Sequence, residues 1–518
     1  MLKKNDQILV VGSGLSGAIT ALRLIENGFK VTMFDIGNPE SREWLKIKQD
    51  YIKKKNYLNF IKKFLGKNFK FFKKTNKGYF SNNFSIAELL KLGPVKTDAL
   101  GGFSNIWGAN MLPYHYNDIK NWPIASKDLE YYYYYLTDKL KLSSDKNNFL
   151  NKFFRLKTKI TDEHKNLEDE QTKEILSILN KHKDVLTKKK IYFGKTNLAL
   201  SKENNRKNIS CQKCGLCFYQ CPYDVIFNSK YLIEHLKNNK KFFYKNNSKL
   251  LKIKEINNKV NVYVEHTKKK IIKYKFDKVF LSCGTYPTLD ILFDSNIINE
   301  KITLQDAQQF IFFGKIKNYT KNDNFKINTM SKINIEINNK DISKNFIHLQ
   351  TYPLSDVIFS RSFPKLFSLF SPLFNYIISF LKKYFIIIGY LPGTDSSKIN
   401  YFADRSISVV NNQNSKKKII KIIDYLNHSF DNNDLRFFKL IKIMHSGASF
   451  HIGSAFPISK KPKQNQSDLY GRINRLKNTF ILDPLILPNI YANTTTFTSL
   501  ANIVRIVDIL SKKSIKKK

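Results

Sequence analysis

Four of the five cysteines stand within eleven residues, Cys211, Cys214, Cys217 and Cys221, with Pro222 directly after the last. Thiolates are soft ligands, and C-x2-C-x2-C-x3-C-P is the ligand run of bacterial ferredoxins. Its short spacings can draw several sulfurs round one face of an iron–sulfur cluster. A structural zinc site instead takes two C-x-x-C knuckles separated by a longer loop. In two-cluster ferredoxins the fourth cysteine serves the other cluster. The chain has no second run, so all four could ligate one [4Fe–4S] cluster only if the loop folds back on itself, and the cluster type stays open. Disulfides are not expected, because no secretory leader is visible.

A second constellation suits phosphate chemistry. The β-branched run Ile8 to Val11 is followed at once by Gly12, Gly14 and Gly17 in G-x-G-x-x-G spacing. The first glycine permits a tight turn, the second lets backbone approach a pyrophosphate, and the third lets helix and strand pack closely. A helical pattern with Ala18, Ala21, Leu22 and Ile25 on one face follows and ends at Gly28. Its N-terminus offers free N–H groups to phosphate. The next apolar strand, Val31 to Phe34, delivers Asp35, 23 residues after Gly12, where a carboxylate can hold ribose hydroxyls. Strand, helix, strand and acid in register predict a dinucleotide-binding unit.

Further along stand L-G-G-F-S-N-I-W-G, from Leu100 to Gly108, and then Trp122-Pro123 before a tyrosine-rich helix. With the N-terminal glycines, this order of motifs resembles the glucose–methanol–choline oxidoreductase family. The resemblance implies FAD on the first motif and Gly101, Gly102, Ser104, Trp107 and Gly108 against the flavin. Ala109 stands where many members have another glycine. The segment around Cys283, which the residues themselves mark as a packed core thiol, resembles the family's return to the FAD domain, with Gly284 beside the cofactor. The C-terminal part resembles the family's closing segment. It places His451 at the active-site histidine, Asn493 at its partner, and Asp483 and Thr494 near the cofactor. His445 reads as a supporting or core histidine. Ser454, Pro457, Ile458 and Leu485 depart from the family pattern. A branch of FAD-dependent sugar dehydrogenases holds a [3Fe–4S] cluster on C-x5-C-x3-C, a spacing that Cys211, Cys217 and Cys221 reproduce.

What the resemblance implies is alcohol oxidation: an imidazole takes the hydroxyl proton, and flavin takes the hydride. A cluster carries single electrons, which implies a dehydrogenase passing them to a protein or quinone acceptor. The substrate implied is an alcohol, sugar, sugar conjugate or polyol. Two other readings keep the same cofactors: a reductase running in the opposite direction, and a non-catalytic electron-transfer subunit.

These residues need a large scaffold. The 518 residues are 42% hydrophobic, enough for more than one domain. The fold expected is an α/β, Rossmann-like FAD domain plus an α+β substrate domain with a largely antiparallel sheet. Its parts are residues 1–120, a helical cover at 121–205, the cysteine loop and return at 206–300, the substrate domain at 301–438, and a closing FAD segment at 439–518. Apolar helical spacing from Tyr51 to Phe72 and charged helical spacing from Glu170 to Val185 suggest cover. The tyrosines 131–135 suggest packing. Net charge is +46, but only ten of the 88 basic residues are Arg and the lysines form no block. This excludes a dedicated nucleic-acid surface and fits a solvated lysine coat. No apolar run reaches the roughly 20 residues of a membrane span. The expected location is cytoplasmic. Pro364 to Leu391, unusually apolar, reads as a buried helix, a channel cover, or an interfacial patch on the inner membrane face.

Overall fold

The structure is a computed structural model, and it describes residues 1–55, 96–145, 148–157, 169–200, 209–217, 221–266, 270–319, 329–354, 381–430, 434–473 and 476–512. The short apolar strand Ile8–Val11 is buried throughout and lies at the centre of a five-stranded parallel sheet. Its order is Thr479–Ile481, Lys278–Leu281, Ile8–Val11, Val31–Phe34, Phe242–Lys245. Continuous apolar strands belong in such a sheet because both faces are covered. One cover is the helix Leu15–Glu26, which packs on Thr495–Leu510, a helix buried along nearly its whole length. The two are joined by Arg23, whose Nε and Nη2 each donate at 2.6 Å to Asp508. Segments 485 residues apart in sequence therefore build one domain.

The second unit is a six-stranded antiparallel sheet. Its order is Leu435–Ile443, Gln309–Ile316, Tyr384–Tyr390, Ile347–Pro353, Ile333–Ile337, Ile191–Lys195. Alternate residues divide between two cores, as the two-residue strand period requires. Phe310, Phe312, Leu349, Phe385 and Ile387 face the helices Glu170–Lys181 and Ser415–Asn427, and Ile311, Tyr352, Ile386, Ile388 and Tyr390 join the core of the parallel-sheet domain. A four-stranded sheet bridges the units, with Ile452–Gly453 at one edge pairing against Ile302–Asp306.

Both expected sheets are present, with two differences in extent. Ile191–Lys195, within the expected helical cover, is the edge strand beside Ile333–Ile337. Leu435–Ile443 crosses the expected boundary at 438 because it pairs with Gln309–Ile316 along its length. Tyr132 and Tyr133 are buried, while Tyr131 and Tyr134 lie on the solvent side of their helix. Residues 56–72 and 364–380 lie outside the described residues; the remainder of the apolar 364–391 stretch contains the inner strand Tyr384–Tyr390. Among the described residues no helix is long and apolar enough to cross a membrane.

Candidate active site

The glycine loop has the geometry its spacing requires. Gly12 has φ +97°, and a Cβ there would meet the Cys283 Cα at 2.8 Å. A Cβ on Gly17 would lie 1.8 Å from the Gly12 carbonyl oxygen, so the helix can lie this close only with hydrogen at that position. Gly14, by contrast, faces open space, as do Gly108 and Gly284. Gly14 and Gly284 are the N-caps of Leu15–Glu26 and Thr285–Asp294, and neither helix is capped by a side chain. Two sets of helix N–H groups are thus left available to an anionic ligand.

Asp35 ends its strand partly exposed, accepting hydrogen bonds from the Ser13 hydroxyl and, at 3.1 Å, from the Tyr244 hydroxyl. Enclosure pushes its carboxyl up to about 6, against the opposing effect of those donors. Ser13 also accepts from the Gly101 N–H at 2.9 Å, tying the glycine loop to the second motif. In that motif Gly101 and Gly102 adopt φ +88° and +58°, and Gly102 lies against the Gly14 Cα. Ser104 is inward-facing. Its hydroxyl donates to Gly101 O at 2.6 Å and meets Asn228 and Ser229 at 3.0 Å. The Trp107 indole N–H donates to Phe227 O at 2.8 Å. Ser104 and Trp107 therefore hold the motif against residues 227–229, immediately after the cysteine run. Ser13, Tyr244, Asn228 and Ser229 carry no motif of their own, and sequence reasoning missed them.

On the returning strand, Cys283 packs against Gly12, with its sulfur 3.5 Å from the Thr288 hydroxyl. Burial pushes its thiol up to about 12. Thr288 donates to Asp483 at 2.8 Å, and the other Asp483 oxygen accepts from the Leu485 N–H at 2.9 Å. The Asp483 side chain thus fastens the chain end to the sheet. The Thr494 hydroxyl exchanges hydrogen bonds with the Leu112 N–H at 2.9 Å and Leu112 O at 3.0 Å.

His451 sits in a constrained loop. Phe450 before it and Ser454 after it both have φ +59°, a costly conformation for non-glycine residues that concentrates at functional sites. The loop is held by buried Asp306, which accepts from the Gly447 N–H at 2.8 Å and from the Ser449 hydroxyl. Ser449 in turn accepts from the His451 N–H at 2.9 Å. The imidazole stacks on Tyr390 at 5.1 Å, and among the described residues its buried Nδ1 has no partner. Burial, and secondarily His348, lower its basicity to about 4, so at neutral pH the ring is uncharged and free to accept a proton. Asn493 donates to Pro113 O at 2.6 Å, leaving its buried Oδ1 unpartnered. The His445 carbonyl closes a turn with the Ala448 N–H.

Asp306 offers a check on this loop. Its carboxyl, pushed up to about 6 by burial, binds protons in the folded state that the unfolded chain has already released. Its contribution to stability therefore falls as pH rises from about 4 to about 6. Asp306→Asn cannot titrate, so denaturant melts should show the variant gaining on wild type by up to about 2–3 kcal/mol across that window. Its turnover is expected to fall about tenfold to a hundredfold, since the amide cannot accept both loop donors.

Cys211, Cys214, Cys217 and Cys221 are all free thiols drawn into the edge of the core, and Cys217 is buried. Burial and the neighbouring thiols push Cys211 up to about 12, and burial with Cys217 pushes Cys221 up to about 11. Four interacting thiols, none in a disulfide, are a donor set suited to an iron–sulfur group. Among the described residues no three His, Cys, Asp or Glu side chains converge as a metal-ligand group, the four cysteines included.

No protein-family model matches the chain, and no curated protein matches it in sequence. Solved structures do match its fold. A pyridoxine 4-oxidase from Mesorbium loti aligns with 10% identity and TM-score 0.60, over 99% of this chain and 100% of that one. A formate oxidase aligns with 11% identity and TM-score 0.62, over 98% of each chain. A variant of the Aspergillus oryzae RIB40 formate oxidase, studied for its FAD modification, gives 11% and 0.62 over 99% and 100%. The likeness spans whole chains and establishes the two-unit fold.

Proposed function

We propose that the chain is an FAD-dependent oxidoreductase of the glucose–methanol–choline type that oxidises a CH–OH group of a sugar, sugar conjugate or polyol. The observation that carries this is His451: an uncharged imidazole with a buried, unpartnered nitrogen, on a strained loop packed against the N-terminus of the Gly284 helix. Thr285 joins the two by donating to Ile452 O at 3.2 Å. The residues fit FAD. Gly12, Gly14 and Gly17 with the N–H groups of Leu15–Glu26 would hold the pyrophosphate, and Asp35 the ribose. Gly108 and Gly284, where a Cβ would meet nothing of the protein, would leave room for the ring. When bound, the flavin supplies the hydride acceptor. His451 takes the proton from the substrate hydroxyl, and Asn493, with one lone acceptor, holds that hydroxyl in line.

The four cysteines would hold an iron–sulfur cluster that passes single electrons to a protein or quinone acceptor. The test is anaerobic purification, iron and sulfide analysis, and absorbance and EPR spectra before and after a panel of sugars and polyols. Flavin bands bleached by one substrate are expected, with a cluster signal. Flavin that no alcohol reduces would overturn the dehydrogenase reading. Flavin without iron would leave the alcohol chemistry and remove the electron exit.

A further inference from the structure

Behind Tyr390 lies a chain of buried polar side chains. Cross-strand register sets Gln309, Tyr390, His348, Glu336 and Tyr192 in one row across five strands. Gln350 and Tyr352 follow His348 on the same face, at two-residue intervals along one strand. Glu336 and His348 have no solvent exposure, and Gln350 and Tyr352 almost none. Their hydrogen bonds run in one direction. The Tyr352 hydroxyl donates to Gln350 Oε1 at 2.6 Å, which turns the amide N–H2 toward His348 Nε2, 2.8 Å away. That nitrogen must accept, so the ring carries its proton on Nδ1 and donates it to Glu336 Oε1 at 2.5 Å. The chain ends at Glu336 Oε2, which is buried and unpartnered.

The same imidazole stacks on Tyr390 at 5.9 Å and 28°, and Tyr390 stacks on His451 at 5.1 Å and 24°. Three rings thus connect the end of the polar chain to the candidate base. Burial pushes the Glu336 carboxyl up, the His348 contact opposing it, and His348 lowers the basicity of His451. Other titratable groups around this chain are Asp118, whose carboxyl burial and Glu336 push up, Tyr192 on the neighbouring strand, and Asp306 beneath the His451 loop.

We propose that Glu336 is a positioning residue: through the oriented chain of His348, Gln350 and Tyr352 it fixes the ring stack under His451 and sets how readily His451 takes a proton. The inference rests on His451 being the base of an alcohol-oxidising site. Holding His348 in one orientation keeps the Tyr390 ring, and with it the His451 imidazole, in one place.

The experiment uses the FAD-loaded full chain with ring-15N histidine, the His348 and His451 signals being assigned by loss in His348→Asn and His451→Gln. Wild type should show His348 as the Nδ1–H tautomer. In Glu336→Gln, whose amide can donate to His348 where the carboxyl oxygen accepts, the His451 titration should move by about half to one unit. With the alcohol that bleaches the flavin, the same variant should lose about three- to tenfold in kcat with KM unchanged, a displaced base lowering only the chemical step. Tyr352→Phe frees the Gln350 amide without changing charge, and should bring a second His348 tautomer. A wild-type His348 that sits as Nε2–H, or a His451 titration that Glu336→Gln leaves in place, overturns the proposal. If Glu336→Gln does not fold, the tautomer result in wild type and Tyr352→Phe decides alone. The histidine signals need no substrate, so they separate failure of this inference from failure of the alcohol-oxidising reading.

Discussion

Replacing His451 with Ala is expected to abolish reduction of bound flavin by alcohol while leaving its reduction by dithionite untouched. A positioned base contributes about 10²–10⁴ in rate, and the carboxyl beneath this loop cannot replace it: Asp306 is committed to loop N–H and O–H donors. Folding should survive, because the backbone of the loop is held independently of the imidazole by Asp306, Ser449 and the pairing of Ile452 with Asp306. The measurement is anaerobic stopped-flow of the flavin band against the best alcohol. Flavin content and melting temperature serve as controls. Undiminished reduction in the variant would remove His451 from the chemistry, and with it the geometric basis of the proposed function.

The second large effect is expected at Gly17. An added methyl would stand 1.8 Å from the Gly12 carbonyl oxygen, far inside van der Waals contact and against backbone, which has no rotamer to escape into. Either the helix Leu15–Glu26 moves off the sheet or the turn at Gly12 opens. Both destroy the alignment of the helix N–H groups with the glycine loop. Gly17→Ala should therefore be purified without flavin and be destabilised by about 3 kcal/mol or more, as overpacked backbone contacts are. Gly14→Ala makes the contrast. Its Cβ meets nothing within 4 Å in the protein, so stability should hold while flavin affinity falls. The pair separates a glycine needed for the fold from one that leaves space for a ligand. Equal flavin retention in both would contradict that distinction.

The glycine loop, its helix and Asp35 were legible because each is a local requirement. A turn with positive φ, a helix packed against a strand and an acid at a strand end are set by residues within about 30 positions, and nothing distant can supply them. The two-unit architecture was legible through the order of motifs, although at 10–11% identity to the matching structures no long stretch of sequence announces it.

What the tertiary structure decided is which side chains those motifs lean on. Ser104 and Trp107 read as cofactor contacts, yet their polar atoms bond to residues 227–229, more than a hundred positions away. Asp306 is an unremarked strand end until the fold sets it beneath the His451 loop. Glu336, His348, Gln350 and Tyr390 sit in ordinary alternating strands, and such strands say which residues share a face but not what that face meets. Only the antiparallel register places them in one row, and only the packing of that sheet against the parallel-sheet domain sets the row under His451. A hydrogen bond acts over about 3 Å, whereas the chain separating these partners runs to hundreds of residues. The local chemistry is therefore written in the sequence, and its alignment belongs to the fold.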